Sequence, residues 1–389
     1  MPQNHARMGR PPDTDRVKIV VDQNIRGAGD TFGRHGSLSV MDGRNILAAD
    51  LKDADALIIR TTTRVDAELL RGSRVGFVGT TSIGIDHLDT DWLDRQGISW
   101  ANAPGCNADS AAQYTLAMMW LACARLGREL SSQRVGIIGR GNVGSRLQQL
   151  LTALGIETVA NDPPLAEQGV TGLVTLDEAL KQDIVSLHVP LERDGPHPTF
   201  RMIAQEQLQA MNNESLLVNA ARGDVVDGDA LLAELSNKRL HAALDVWPGE
   251  PRINNRLLSA TTVATPHVAG YSDDGKRNGT HSVYRAFCQW ARLHPFQPGE
   301  APGPVPLLEL QAGEDPLERA LEATCFVQRH DAQMRQLISM SPETVAIEFD
   351  RLRRDYPPRR DFQAWRACCA DPAQTALLSK LGFSVNNSH

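Results

Sequence analysis

Disulfide chemistry is missing from this sequence. Its six cysteines, Cys106, Cys123, Cys288, Cys325, Cys368 and Cys369, are scattered and include no C-x-x-C pair. Adjacent cysteines cannot easily bridge each other, so a disulfide frame and a zinc site are excluded and reduced thiols in a cytoplasmic protein are expected. No metal is expected. No stretch reaches the ~18 consecutive apolar residues of a membrane span. The polar start, residues 1–16, lacks the apolar core of a signal peptide and reads as a disordered lead-in. Excess positive charge is missing too. With 40 Lys and Arg against 47 Asp and Glu, the formal charge is -7, which argues against non-specific nucleic-acid binding. There is no internal repeat and no long low-complexity tract. What remains is an ordinary globular composition, 41% hydrophobic and 22% charged, over 389 residues. Two or three domains are expected at that length.

The most informative stretch is Arg134-Val135-Gly136-Ile137-Ile138-Gly139-Arg140-Gly141-Asn142-Val143-Gly144. A short β-branched run ends in a glycine turn, and a helical pattern follows through Leu154, which is the context of a dinucleotide fingerprint. Gly139 serves the tight turn, Gly141 the approach of a pyrophosphate, and Gly144 close packing of helix on strand. The helix N-terminus offers N–H groups to phosphates. The next strand, Thr158–Asn161, ends in Asp162, about 18 residues past Gly144, where a ribose-binding acid belongs. No arginine stands beside Asp162, and a carboxylate repels a 2′-phosphate, so NAD is favoured over NADP.

Earlier in the chain, Val17–Asp22, Ala56–Arg60, Val75–Gly79 and Ile98–Trp100 read as strands. Helical patterns at Val65–Leu70 and Leu88–Arg95 lie between them, implying parallel βαβ units. Asn107 is a plausible N-cap for an apolar helix, Ala108 to about Leu126, buried between domains. From Val135 six strands are counted, continuing at Ile184–Leu187, Leu216–Ala220, Ala242–Asp245 and Thr262–Thr265, as in a doubly wound sheet. Five prolines within 295–306 mark an extended linker. Beyond it Pro316–Met340 and Glu343–Arg354 look helical, a last helix leads to Gly382, and the tail is long enough for a small third domain.

Ligands of open α/β sheets sit beyond the carboxyl ends of the strands, so polar residues there carry the chemistry. Arg222, in Asn219-Ala220-Ala221-Arg222-Gly223, can grip a carboxylate with two parallel N–H bonds; a structural ion pair is the alternative. Glu250, in Asp245-Val246-Trp247-Pro248-Gly249-Glu250-Pro251, sits in a turn. His267, in Thr265-Pro266-His267-Val268-Ala269-Gly270-Tyr271, can exchange a hydroxyl proton, and a nearby Glu250 would orient its ring. Arg, Glu and His at three successive strand ends are hard to read as coincidence. A second glycine-bearing turn, Gly79-Thr80-Thr81-Ser82-Ile83-Gly84, suits an anionic substrate or is an ordinary loop.

These motifs together resemble the D-2-hydroxyacid dehydrogenase family. The resemblance runs from about Val17 to the C-terminus. Ala103–Ala108, Asn161–Pro164, Glu348–Arg353 and Lys380–Phe383 narrow it to a branch working in pyridoxal phosphate biosynthesis. It implies NAD-dependent oxidation of 4-phospho-D-erythronate to 2-oxo-3-hydroxy-4-phosphobutanoate. Arg222 would hold the carboxylate, His267 would take the C2 hydroxyl proton, and Glu250 would steer His267. Gly139, Arg140, Gly141, Asn142, Val143, Gly144, Asp162, Val189, Asp245 and Gly270 would contact the cofactor, and Thr61, Ser82 and Tyr271 the substrate. Arg60 and Arg64 would help neutralise the 4-phosphate. Arg351, Arg353 and Arg354 would lie on a solvated helix face, with a cross-subunit phosphate contact as the alternative. Two departures stand out: Gln113 where relatives carry Glu, and Val189 where they carry a cofactor-contacting Thr, leaving only a backbone contact there.

The implied fold is α/β, with two Rossmann-like or flavodoxin-like parallel-sheet domains and a small α+β dimerisation domain at 307–389. The substrate lobe, 17–107 and 272–294, would be discontinuous around an NAD-binding domain at 108–271. The cleft between the lobes would face Arg222, Glu250 and His267, and the protein would be a homodimer. The alternatives are another 2-hydroxyacid dehydrogenase, such as one acting on 3-phosphoglycerate, or an NAD-sensing corepressor.

Overall fold

β-branched runs in this chain become strands buried on both faces, as a parallel sheet covered by crossover helices requires. The computed structural model describes residues 17–296 and 304–387. The lead-in at 1–16 and the middle of the linker, 297–303, lie outside them. The chain divides into two compact units, one running to Asn107 and resuming at Asp273, the other spanning Ala108–Ser272 and the chain from Pro304.

In the first unit β1 (Val17–Asp22), β2 (Gly36–Met41), β3 (Ala56–Ile59), β4 (Phe77–Thr80) and β5 (Ser99–Ala101) form one sheet. Its order is β2-β1-β3-β4-β5 and every pairing is parallel, the flavodoxin-like arrangement. Helix Asp273–Ala291 covers it, with Val283, Tyr284 and Phe287 in one core with Val17, Ile19 and Phe77. Gly279 allows that close approach, because a Cβ there would come 2.7 Å from the Thr81 carbonyl oxygen. Strand β2 is not announced by the sequence. It lies at the sheet edge with most side chains at least partly exposed, so no run of apolar residues marks it. Val65–Leu70 is not the helix its spacing suggests. Val65 bridges Leu88, and the Asp66 carboxylate accepts from the Glu68 and Leu69 amides at 3.0 and 3.1 Å, closing a local turn instead.

In the second unit β6 (Val135–Ile138), β7 (Thr158–Asn161), β8 (Ile184–Leu187), β9 (Leu216–Asn219), β10 (His241–Leu244) and β11 (Val263–Ala264) are the six strands read from the sequence. They run parallel in the order β7-β6-β8-β9-β10-β11. The chain leaves β6 to one side and returns on the other, so the carboxyl ends of β6 and β8 frame a topological switch point.

The tail adds β12 (Leu307–Glu309), β13 (Arg366–Cys369) and β14 (Ser384–Asn387), a small sheet whose strands are also parallel. Helices Pro316–Cys325, Pro342–Arg354 and Pro372–Leu381 start at Asp315, Ser341 and Asp371, whose side chains accept from first-turn amides, with proline next. The stretch read as one helix from Pro316 to Met340 is broken at Phe326, where φ is +55°. The tail has no core of its own. Leu308, Leu321, Phe362, Leu378 and Phe383 belong to the same apolar cluster as Leu116, Met119, Leu147 and Val218. This explains helix Ala108–Arg125, 14 of whose 18 residues are buried. It packs between helix Asn142–Ala153 and the tail helices Pro316–Cys325 and Val327–Arg335.

Candidate active site

The glycine loop between β6 and helix Asn142–Ala153 separates its three glycines by function. Gly139 has φ +89°, and a Cβ there would come within 2.8 Å of the His188 carbonyl. At Gly144 a Cβ would lie 2.0 Å from the Gly139 carbonyl oxygen, so helix and turn could not close. Nothing stands within 4 Å of a Cβ at Gly141. The fold does not need glycine there, and the backbone stays open to close approach. Gly141 caps the helix without a side-chain bond, leaving first-turn N–H groups for an anion. Asp162, at the end of β7, is tied to the loop, with Oδ2 accepting from Arg140 N at 2.8 Å and Oδ1 from Leu165 N at 3.1 Å. A loop open at Gly141 with a carboxylate beside it fits a dinucleotide carrying an unmodified ribose. Val189 lies against Gly139, its Cγ1 2.9 Å from the Cβ a larger residue would carry. Its neighbour His188 belongs to no sequence motif. Its imidazole bonds Ser186 Oγ at 2.8 Å, and burial pushes its pKa down to about 4, so it stays neutral beside the loop.

Arg222, Glu250 and His267 follow the adjacent parallel strands β9, β10 and β11. Asn219 shapes the first loop, accepting from Ala221 N at 3.0 Å and donating to the Arg222 carbonyl at 2.9 Å. Gly223 lets that loop touch the next, since a Cβ would lie 2.1 Å from the Trp247 carbonyl. Buried Trp247 donates from its indole to the Thr265 carbonyl at 2.9 Å, joining the second loop to the third. The Glu250 carboxylate accepts from Trp247 N through Oε2 at 3.1 Å and is hydrogen-bonded through Oε1 to His267 Nδ1. Burial pushes the Glu250 pKa up, but the His267 charge and hydrogen bond, with Arg353 and the Trp247 amide, outweigh it and hold it below the usual carboxylate range.

His267 has a left-handed backbone, φ +56°. Such a conformation costs a non-glycine residue of order 1–3 kcal/mol unless the surroundings impose it. Asp245 imposes it. Its buried carboxylate accepts from Thr265 Oγ1 at 2.6 Å and from Val268 N and Ala269 N at 2.9 Å, and its carbonyl accepts from His267 N at 2.7 Å. Asp245 is therefore the brace of the histidine turn. Gly270 and Tyr271 continue that turn, and the Tyr271 ring stands edge-on to Tyr356 of the tail, 5.8 Å between centroids.

The remaining candidates are dispersed. Thr61 and Ser82 lie in the first unit. Thr61 is exposed, whereas the Ser82 hydroxyl meets Thr80 Oγ1 at 2.8 Å and donates to the Gly84 carbonyl at 3.0 Å. Arg60 pairs with buried Asp22 at 3.0 Å, and Arg64 extends into solvent beside Asp66. Gln113 is buried and joins helix Ala108–Arg125 to the tail, donating to Gln363 at 3.1 Å and accepting from Phe362 N at 3.1 Å. Arg351 and Arg354 are exposed, as read, but Arg353 is not: only 25% of its side chain is accessible, and it donates to the Tyr271 hydroxyl. The sequence also gave no hint of Arg359, which is buried and donates to the Ala269 and Ser110 carbonyls at 2.6 and 3.2 Å.

Comparison with known proteins places the chain in a family. The profile of the D-isomer specific 2-hydroxyacid dehydrogenase NAD binding domain matches residues 107–269, and a domain of unknown function, DUF3410, matches 307–382. An erythronate-4-phosphate dehydrogenase of Marinobacter nauticus is 45% identical over 354 residues, covering 88% of this chain and 92% of its own. One from Escherichia coli O1:K1 is 39% identical over 378 residues, covering 95% and 98%. Among solved structures, the D-lactate dehydrogenase of Aquifex aeolicus complexed with NAD and lactic acid matches with a TM-score of 0.59 and 25% identity, over 70% of this chain and 95% of that one. The NAD+-bound 3-phosphoglycerate dehydrogenase of Entamoeba histolytica shares the fold, with a TM-score of 0.63 and 22% identity over 71% and 95%. The chain belongs to the D-2-hydroxyacid dehydrogenase family, in the group of the erythronate-4-phosphate dehydrogenases, and is an NAD-dependent dehydrogenase.

Proposed function

We propose that this chain oxidises 4-phospho-D-erythronate at C2 to 2-oxo-3-hydroxy-4-phosphobutanoate. The observation that carries the chemistry is the Glu250–His267 pair at the strand ends. A carboxylate only accepts, so the proton of neutral His267 sits on Nδ1 and leaves the Nε2 lone pair to take the C2 hydroxyl proton. Arg222 binds the substrate carboxylate through two parallel N–H bonds and stabilises the developing 2-oxo group. Glu250 keeps the imidazole in that tautomer and balances the charge it gains. When bound, NAD supplies the acceptor for the C2 hydride. Asp162 holds its adenosine ribose, while Arg140, Asn142 and Val143 flank its pyrophosphate between the three glycines. The resemblance supports cofactor contacts at Val189, Asp245 and Gly270, and substrate contacts at Thr61, Ser82 and Tyr271.

Substrate identity is supported by relatives that match through the tail, whereas the 3-phosphoglycerate enzyme above shares the fold alone. The tail would pair two copies of the chain in a cytoplasmic homodimer, which light scattering on the purified protein tests directly. The substrate assignment is tested by comparing kcat/KM for 4-phospho-D-erythronate and 3-phosphoglycerate with NAD. A preference of at least about tenfold, ~1.4 kcal/mol, for the former is expected. Equal or reversed preference overturns the assignment, and no turnover of either returns the chain to a binding role.

A further inference from the structure

Three arginines near the end of helix Pro342–Arg354 have different surroundings. Arg351 pairs with Glu348 and Arg354 with Asp355, both on the solvent side. Arg353 lies on the face of Val345 and Phe349, which are buried in the same core as Leu244, Trp247, Leu257 and Leu258. Its guanidinium carbon is 5.9 Å from the centre of the Phe349 ring, Nη2 donates to the Tyr271 hydroxyl at 3.3 Å, and Asp350 is 3.8 Å away. Its Nε is buried without a hydrogen-bond partner. A guanidinium is held there at a desolvation cost that surface arginines do not bear.

We propose that Arg353 is a positioning residue for Glu250, His267 and Tyr271, which makes the C-terminal module part of the active site of its own chain. The inference rests on the proton-transfer role given above to His267. Three groups from three elements act on Glu250: His267 from the turn after β11, the Trp247 amide from its own loop, and Arg353 from the tail helix. Tyr271, Glu250 and Asp350 act in turn on Arg353. A cation beside the Glu250–His267 pair disfavours a second proton on that pair. The same side chain fixes the Tyr271 hydroxyl, while Tyr356 holds the ring edge-on.

The test uses the full-length protein with Arg353→Met and Arg353→Lys. The His267 titration is read by NMR on histidine-labelled protein, with His267→Asn assigning the signal. The acid limb of kcat/KM for 4-phospho-D-erythronate with NAD is measured in parallel. Arg353→Met is expected to move both upward by about half a pH unit or more, and Arg353→Lys to restore them. NADH affinity should stay within about twofold. An unmoved His267 titration in Arg353→Met, with only melting temperature or kcat reduced, overturns the proposal. An unmoved titration with a raised KM for the phosphorylated substrate alone also overturns it, in favour of a direct phosphate contact. Because the NMR reading needs no turnover, a parent enzyme inactive on this substrate would refute the functional assignment without touching the assignment of Arg353.

Discussion

Glu250 governs which nitrogen of His267 carries the proton, so the most informative replacement is one that changes the tautomer and little else. In Glu250→Gln the amide nitrogen can donate to Nδ1, which places the imidazole proton on Nε2, where the substrate hydroxyl needs an acceptor. A fall in kcat of ~10²-fold or more is expected, with NADH affinity unchanged. Stability should respond as well. Glu250 titrates below its usual value in the folded chain, so its carboxylate contributes stability above the unfolded pKa, about 4.3, and loses it as pH falls through the folded value. Urea midpoints of parent and Glu250→Gln should therefore differ at pH 7 and converge below pH 4; a constant difference would mean that the carboxylate's charge is not what stabilises the turn. At this scale much of the site was legible. Arg222, Glu250 and His267 each follow a recognisable strand, and the hydrogen-bond capacity of each side chain is set by its type. The resemblance implies a cofactor contact for Asp245, but its part as the brace of a left-handed histidine is not legible in the sequence, because that depends on three amide and hydroxyl partners 20 to 24 positions away.

The glycine loop shows at the scale of an element how one motif mixes folding and binding. Gly144→Ala must displace the Gly139 carbonyl and is expected to cost stability, of order 1–3 kcal/mol for overpacking. Gly141→Ala meets open space in an extended backbone, φ -72°. Its melting temperature should match the parent while the NADH Kd rises by about tenfold, ~1.4 kcal/mol. If Gly141→Ala melted early, or bound NADH as the parent does, the division of labour within the loop would be wrong. Elements whose signal is local were read correctly, including the buried runs that became β6 to β11. Those decided by context were not. Strand β2 is specified by pairing with β1 along an exposed edge, and residues 65–70 close a turn because Asp66 bonds the amides that follow it. The helix break at Phe326 has no glycine or proline to announce it.

For the whole molecule, the chief result is that the tail and the nucleotide-binding sheet share one core. Phe362 is fully buried and stacked on Phe383 at 4.8 Å, within the cluster that also holds Leu147 of helix Asn142–Ala153. Phe362→Ala is expected to cost ~3–5 kcal/mol and to lower the melting of tail and sheet together. Calorimetry with saturating NADH should show the transition of the second unit shifting as a whole; a separate tail transition, insensitive to NADH, would show two independent domains. The sequence suggests a small third domain beyond a proline-rich linker. The contacts that make it integral run from Arg353 to Tyr271, from Arg359 to Ala269 and from Gln363 to Gln113, 82 to 250 positions apart, and such pairs leave no local signature.

The proposed oxidation turns above all on His267 as the proton acceptor. His267→Asn is the variant to measure, since asparagine tolerates the left-handed backbone at this position and the turn should survive. With 4-phospho-D-erythronate and NAD, kcat should fall by at least ~10²-fold while the NADH Kd stays within about twofold of the parent. A kcat within tenfold of the parent at unchanged NADH affinity would contradict it.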